Sequence, residues 1–151
     1  MTDGFGLQRF LATPAGTFED VLAEISAGAK SGHWMWFVFP QIAGLGSSTM
    51  ARHYAIRSLD EARAYLAHPV LGSRLRACLA ALEGLAVTTP EAVFGQIDAM
   101  KLRSCLTLFL AAGGGSAFRA AIERWFHGQE DAATLALLAD PSALNAEQSS
   151  R

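Results

Sequence analysis

Residues 33–41 read HWMWFVFPQ, which places Trp34, Trp36, Phe37 and Phe39 almost side by side, flanked by His33, Pro40 and Gln41. The fold class turns on this stretch. Its aromatic and β-branched content favours a strand. No other segment of the chain alternates apolar and polar residues, however, and one strand alone leaves its backbone N–H and C=O groups without partners. The stretch therefore reads as a short buried helix ended by Pro40, and the chain as an all-α protein, a compact single-domain bundle of six to eight short helices.

Working outward, Phe18, Val21, Leu22 and Ile25 follow helical spacing, and Asp20 stands three residues after Thr17 as in a capping box, which predicts a helix over 17–29. Downstream, Gly44 and Gly46 allow tight turns, and Ser47 or Ser48 is placed to cap a helix starting just after them. Ser58, with Asp60 and Glu61 in the first turn, starts a helix that stops at His68-Pro69. Leu71, Leu75, Cys78, Leu79 and Leu82 carry the next one from Pro69 to about Leu85, with Arg74 and Arg76 on its wet face. Thr89-Pro90-Glu91 is a cap followed by proline at the first helical position, and Gly95 ends that segment. Residues 97–112 form the most apolar helix, expected at the centre. After the break at Gly113–Gly115, Ser116 is the expected cap of a helix whose apolar face is Phe118, Ile122, Trp125 and Phe126. Asp131 caps the last helix. The domain is expected over 5–138, and 139–151 as a flexible C-terminal tail.

At 151 residues, with 51% hydrophobic and 17% charged side chains, the chain has ample material for one core. No run approaches the roughly 18 apolar residues of a membrane span, and MTDGFGLQRF lacks the basic start and apolar stretch of an export signal. The expectation is a cytoplasmic protein with no membrane partner. Lysine and arginine are spread evenly along a chain of net charge −2, so nucleic acid is not expected as a partner. Cys78 and Cys105 both fall in apolar helical patterns and read as reduced core thiols. His33, His53, His68 and His127 have no partner at metal-ligand spacing, and there is no CxxC, so no metal is expected. No cofactor is expected either.

Three segments, SGHWMWFVFPQIAGLGSS, YAIRSLDEARAYLAHPVLGSRL and FGQIDAMKLRSCLTLF, together resemble the bacterial and fungal family known as domain of unknown function 1810. The resemblance covers roughly residues 5–138 and implies an all-helical single domain with no established reaction. Family members usually carry serine and methionine where this chain has Cys105 and Leu106, whereas Lys101, Arg103, Ser104 and Thr107 match the family pattern.

Candidate chemistry concentrates in the same motifs. Trp34 and Trp36 form either an aromatic wall for a flat ligand, with His33 and Gln41 bonding at its rim, or a core plug. Tryptophan is a costly core filler because its indole N–H needs a partner when buried, and this keeps the wall in view. In AGLGSSTMARHY a glycine turn and a helix start with Arg52 one turn along suit an anion, or are an ordinary cap. Asp98, Lys101 and Ser104 share one helix face, which suits a polar ligand site or a structural ion pair. Nucleophilic Ser104 chemistry needs a lysine pKa depressed by burial, and Asp98 opposes that. Arg103, interrupting the most apolar helix, is either an anion clamp shared with Lys101 or one half of a buried pair.

Two functional readings result. The first is a small-molecule binding protein for an anionic aromatic ligand, a nucleotide or nucleotide derivative, with Trp34, Trp36, Gln41, Arg52, Arg103 and Ser104 as binding residues. If it hydrolyses a glycosidic or phosphate-ester bond, His33, Asp98 and Lys101 are the catalytic candidates. The second is a non-catalytic interaction module using an exposed aromatic patch of Trp36, Phe37 or Trp125. A concave pocket joining a tryptophan face to Lys101 or Arg103 favours the first; a flat apolar patch remote from them favours the second.

Overall fold

The computed structural model describes residues 4–12, 17–86 and 88–140. These hold ten helices: α1 (Gln8–Leu11), α2 (Thr17–Ser26), α3 (Met35–Val38), α4 (Thr49–His53), α5 (Leu59–Ala67), α6 (Leu71–Glu83), α7 (Pro90–Phe94), α8 (Gln96–Ala111), α9 (Ser116–Phe126) and α10 (Ala132–Ala139). The six longer ones form the bundle, and α1, α3, α4 and α7 are single turns. The structure is all-α, as the periodicity implies. Most of the expected tail, residues 141–151, lies outside the described residues.

Local chemistry sets most helix starts. Ser48, Ser58, Thr89 and Asp131 each accept a backbone N–H three residues on, and Pro90 opens α7. The α9 start differs by one residue: Gly115, at φ 93°, is the cap position and Ser116 is already helical. Glycine is needed there because a Cβ is strained at that angle. The first long helix stops at Ser26, three residues before the expected end, where Gly28 at φ 73° turns the chain.

α3 is one turn, closed by Val38 N–H to the Trp34 carbonyl (3.2 Å) and Phe39 N–H to the Met35 carbonyl (3.0 Å). The chain leaving it is pinned to the segment after α4. Ala43 N–H donates to the Ile56 carbonyl (2.8 Å) and Ile56 N–H to the Gln41 carbonyl (2.9 Å), a single parallel bridge that closes residues 41–56 into a loop carrying α4. Among the described residues this is the only extended pairing.

α8 is central. It packs against α5, α7, α9 and α10 and buries Leu102, Cys105, Leu106, Leu108 and Phe109. α6 lies between α2, α5 and α9, and turns back over α5 at Gly72, where a Cβ would stand 2.1 Å from the Leu66 carbonyl oxygen. The first turns of α8 therefore face the 41–56 loop and the start of α10 across a gap. That gap is far larger than the two small hollows lined by Arg52 and by Phe10.

Candidate functional site

The two tryptophans of HWMWFVF part company. Trp34, at the cap position of α3, is 3% exposed and packs against Phe39 and edge-on against Phe94. Its indole N–H donates to Glu24 Oε1 on α2 (2.9 Å), so the polar cost of burying it is met at the edge of the core by a half-buried carboxylate. The same oxygen accepts from Ser31 N–H (2.7 Å) and Gly32 N–H (2.8 Å). Burial alone would raise the Glu24 pKa, but these three donors and the nearby Lys30 charge outweigh it and hold the carboxyl below its ordinary range.

Trp36, half-buried, turns the other way and walls a cleft of about 590 Å³. Gln41 and the loop residues Leu45–Ser48 continue that wall, Ile97, Met100, Lys101, Arg103 and Ser104 of α8 form the opposite side, and Asp131 closes one end. Ile97, Met100, Lys101 and Ser104 recur at i, i+3, i+4 and i+7, so one stripe of α8 supplies an apolar lip and a polar floor. The lip is unusually wet: Ile97 is 71% exposed and Met100 67%.

Lys101 sits with its ammonium 4.9 Å from the Trp36 ring centroid and 3.5 Å from Asp98 Oδ1. Asp98 Oδ2 is meanwhile 2.8 Å from Lys30, whose ammonium also donates to the Gly32 carbonyl (2.6 Å) and lies over the Trp34 ring. One carboxylate thus serves two ammonium groups, with the closer contact to Lys30, and Lys101 keeps unneutralised charge for the cleft.

Arg103 is not half of a buried ion pair. Its Nε and Nη2 donate to the backbone carbonyls of Gln129 (2.9 Å) and Glu130 (3.0 Å), tying the connection before α10 to α8. Ser104 Oγ lies within bonding distance of the Met100 carbonyl (3.1 Å) and Asp131 Oδ2 (3.2 Å), not of Lys101, so no serine–lysine pair is formed. Asp131 is further fixed by its own N–H, which donates to Thr107 Oγ1 (2.8 Å). The lining therefore carries two cations and one carboxylate.

The family described as "Protein of unknown function (DUF1810)" matches residues 4–138. The chain belongs to this family. The crystal structure of the conserved hypothetical protein Rv1873 from Mycobacterium tuberculosis is 46% identical, with a TM-score of 0.88 over 91% of this chain and 99% of that one. No curated protein matches.

In this DUF1810 chain the remaining candidates scatter. His33 is exposed and does not line the cleft. Arg52 lines a hollow of only about 10 Å³, which shares Trp36 and Gln41 with the cleft. Both cysteines are free and buried; burial pushes the Cys78 thiol up to about 12 and raises Cys105 well above its ordinary value, so neither supplies a thiolate near neutrality. Trp125 is 4% exposed beneath Arg124 and Phe37 packs against Tyr54, which removes Trp125 from the expected surface patch and leaves Phe37 only half-buried. Among the described residues no helix is long and apolar enough to cross a membrane.

Asp131 escaped sequence reasoning as a site residue because it reads fully as a helix cap, and so did Lys30 and Glu24, which act only through contacts with α3 and α8. Ile97 and Met100 were legible in principle. They continue the stripe of Lys101 and Ser104, and two large apolar residues on a polar helix face mark a surface suited to a ligand or partner.

Proposed function

We propose that the DUF1810 cleft binds a small anionic ligand with a flat or apolar portion, of the nucleotide or nucleotide-derivative class. The observation that carries this is the meeting of Trp36, Lys101 and Arg103, from segments about 65 residues apart in the chain, in one concavity of about 590 Å³, within the range of about 300–1,000 Å³ usual for ligand pockets. The ligand's anionic group takes the charge on Lys101 that Asp98 leaves uncompensated, with Arg103 beside it. Its apolar part lies against Trp36, Leu45 and the Ile97–Met100 lip.

Binding is proposed rather than hydrolysis. Of the expected catalytic residues, His33 stands outside the cleft and Asp98 is engaged by Lys30 and Lys101. The exposure of Ile97 and Met100 favours, as a second reading, a protein partner seated on the lip.

A thermal-shift screen against pyrophosphate, AMP, NAD and ribose 5-phosphate separates these readings. Ligand at about a hundred times its dissociation constant stabilises by about 2.7 kcal/mol, or roughly 5–10 °C for a domain of this size. The shift should vanish in Lys101→Ala. Absence of a shift with every probe, or a shift unchanged in Lys101→Ala, sinks the proposal.

A further inference from the structure

Among the described residues that line the cleft, Asp131 carries the only carboxylate, and its two oxygens differ. Oδ2 accepts from Thr134 N–H (2.9 Å) and Thr134 Oγ1 (2.6 Å), and Ser104 Oγ, whose single proton is shared with the Met100 carbonyl (3.1 Å), lies 3.2 Å away. Oδ1 accepts from none of the described residues, and neither Lys101 nor Arg103 forms an ion pair with Asp131. No buried side-chain oxygen among the described residues is left without a partner, so Oδ1 is not fully buried. The carboxylate is held on one side by the two Thr134 donors, with Ser104 Oγ nearby, and its other oxygen stays unpaired on a residue that lines a cleft whose cations call for an anion.

That combination constrains the ligand. An anion offering only acceptors, such as a plain carboxylate or sulfate, gains from Lys101 and Arg103 but meets repulsion at Asp131. A ligand that carries its negative charge at one end and a hydroxyl donor at the other satisfies both, and its hydroxyl makes a charge-assisted bond to Oδ1. Phosphorylated sugars and nucleotides have this division, with a phosphate that only accepts and sugar hydroxyls that donate. Resting on the binding reading above, we infer that Asp131 is the specificity-determining residue of the cleft, selecting ligands with a free sugar hydroxyl over anions that lack one.

Asp131→Asn isolates the effect. The amide oxygen stays on the side of Thr134, because turning it would place NH2 against the Thr134 backbone N–H, so the helix cap survives and only the open oxygen becomes a donor. Titration calorimetry with AMP, 2′,3′-dideoxy-AMP and pyrophosphate supplies the readout. The unmodified protein should bind AMP about tenfold or more tighter than the dideoxy compound, as expected for a bond to a charged acceptor. In Asp131→Asn the amide N–H can still donate to a hydroxyl oxygen but the charge-assisted bond is gone, so the preference should shrink to about fivefold or less, with pyrophosphate binding kept or improved. Equal affinities for AMP and dideoxy-AMP in the unmodified protein overturn the inference, as does a preference that is undiminished in Asp131→Asn. If pyrophosphate binds and is lost in Lys101→Ala while the hydroxyl preference is missing, the binding reading stands and this inference alone falls. If no probe binds, the binding reading fails and the inference with it.

Discussion

Replacing Trp34 by Phe keeps an aromatic ring between Phe39 and Phe94 but removes the indole N–H that reaches Glu24 Oε1 at 2.9 Å. Two losses result. A hydrogen bond to a charged group contributes about 1.5–3 kcal/mol, and because Glu24 is only half-buried and regains water when the indole is gone, the lower end applies. The smaller ring also gives up roughly 40 Å² of buried apolar surface, about 1 kcal/mol. Together they come to about 2.5 kcal/mol, or a Tm lowered by roughly 5–10 °C at neutral pH.

The pH dependence separates the two losses. The Glu24 pKa is depressed below its ordinary 4.5 in the folded protein. Its stabilisation is therefore complete above the unfolded value and disappears as pH falls through the folded one. Without the indole donor the folded pKa rises toward 4.5 and there is less stabilisation to lose. The gap between the unmodified protein and Trp34→Phe should be widest near about pH 7 and narrow toward the packing part, about 1 kcal/mol, as pH falls below 4.5 through the depressed folded value. Urea denaturation across that range measures it. A gap constant from neutral to acid would refute the role assigned to the Glu24 bond.

Two further outcomes rest on buried groups away from the cleft. Glu61 is 2% exposed and paired with Arg9, which also donates to the Ala55 carbonyl (2.8 Å); Arg9→Ala leaves that carboxylate with the Arg57 N–H as its remaining partner, and should cost about 3–5 kcal/mol in chemical denaturation. A loss under about 1 kcal/mol would contradict a buried pair. With the Cys78 thiol raised to about 12 and Cys105 raised by full burial, alkylation near neutral pH should be very slow in the folded protein and fast in denaturant; equal rates would show that the thiols are reachable.

How much of this was legible in the sequence depends on how far each interaction reaches along the chain. The caps at Ser48, Ser58, Thr89 and Asp131 join groups three residues apart and were readable one by one. Lys101 and Ser104 were readable as neighbours for the same reason, since they share a face of one helix. At Arg103 the sequence signalled a cation in an apolar helix, which asks for a partner. It gave no sign that the partners are two backbone carbonyls 26 and 27 residues away. Backbone oxygens stand at every position, so composition cannot mark them.

The opening motif shows the same division. By itself the sequence determined that HWMWFVF is a short helix in an all-α chain, because backbone groups must pair locally when no strand partner exists. It also showed that two tryptophans there demand polar partners. Only the tertiary structure decided which ring goes where: Trp34 onto Glu24 at the edge of the core, Trp36 into the cleft beneath Lys101. One turn of helix sends adjacent faces to different neighbours. Those neighbours, α2 on one side and α8 on the other, are fixed by the packing of the whole bundle rather than by anything within the motif.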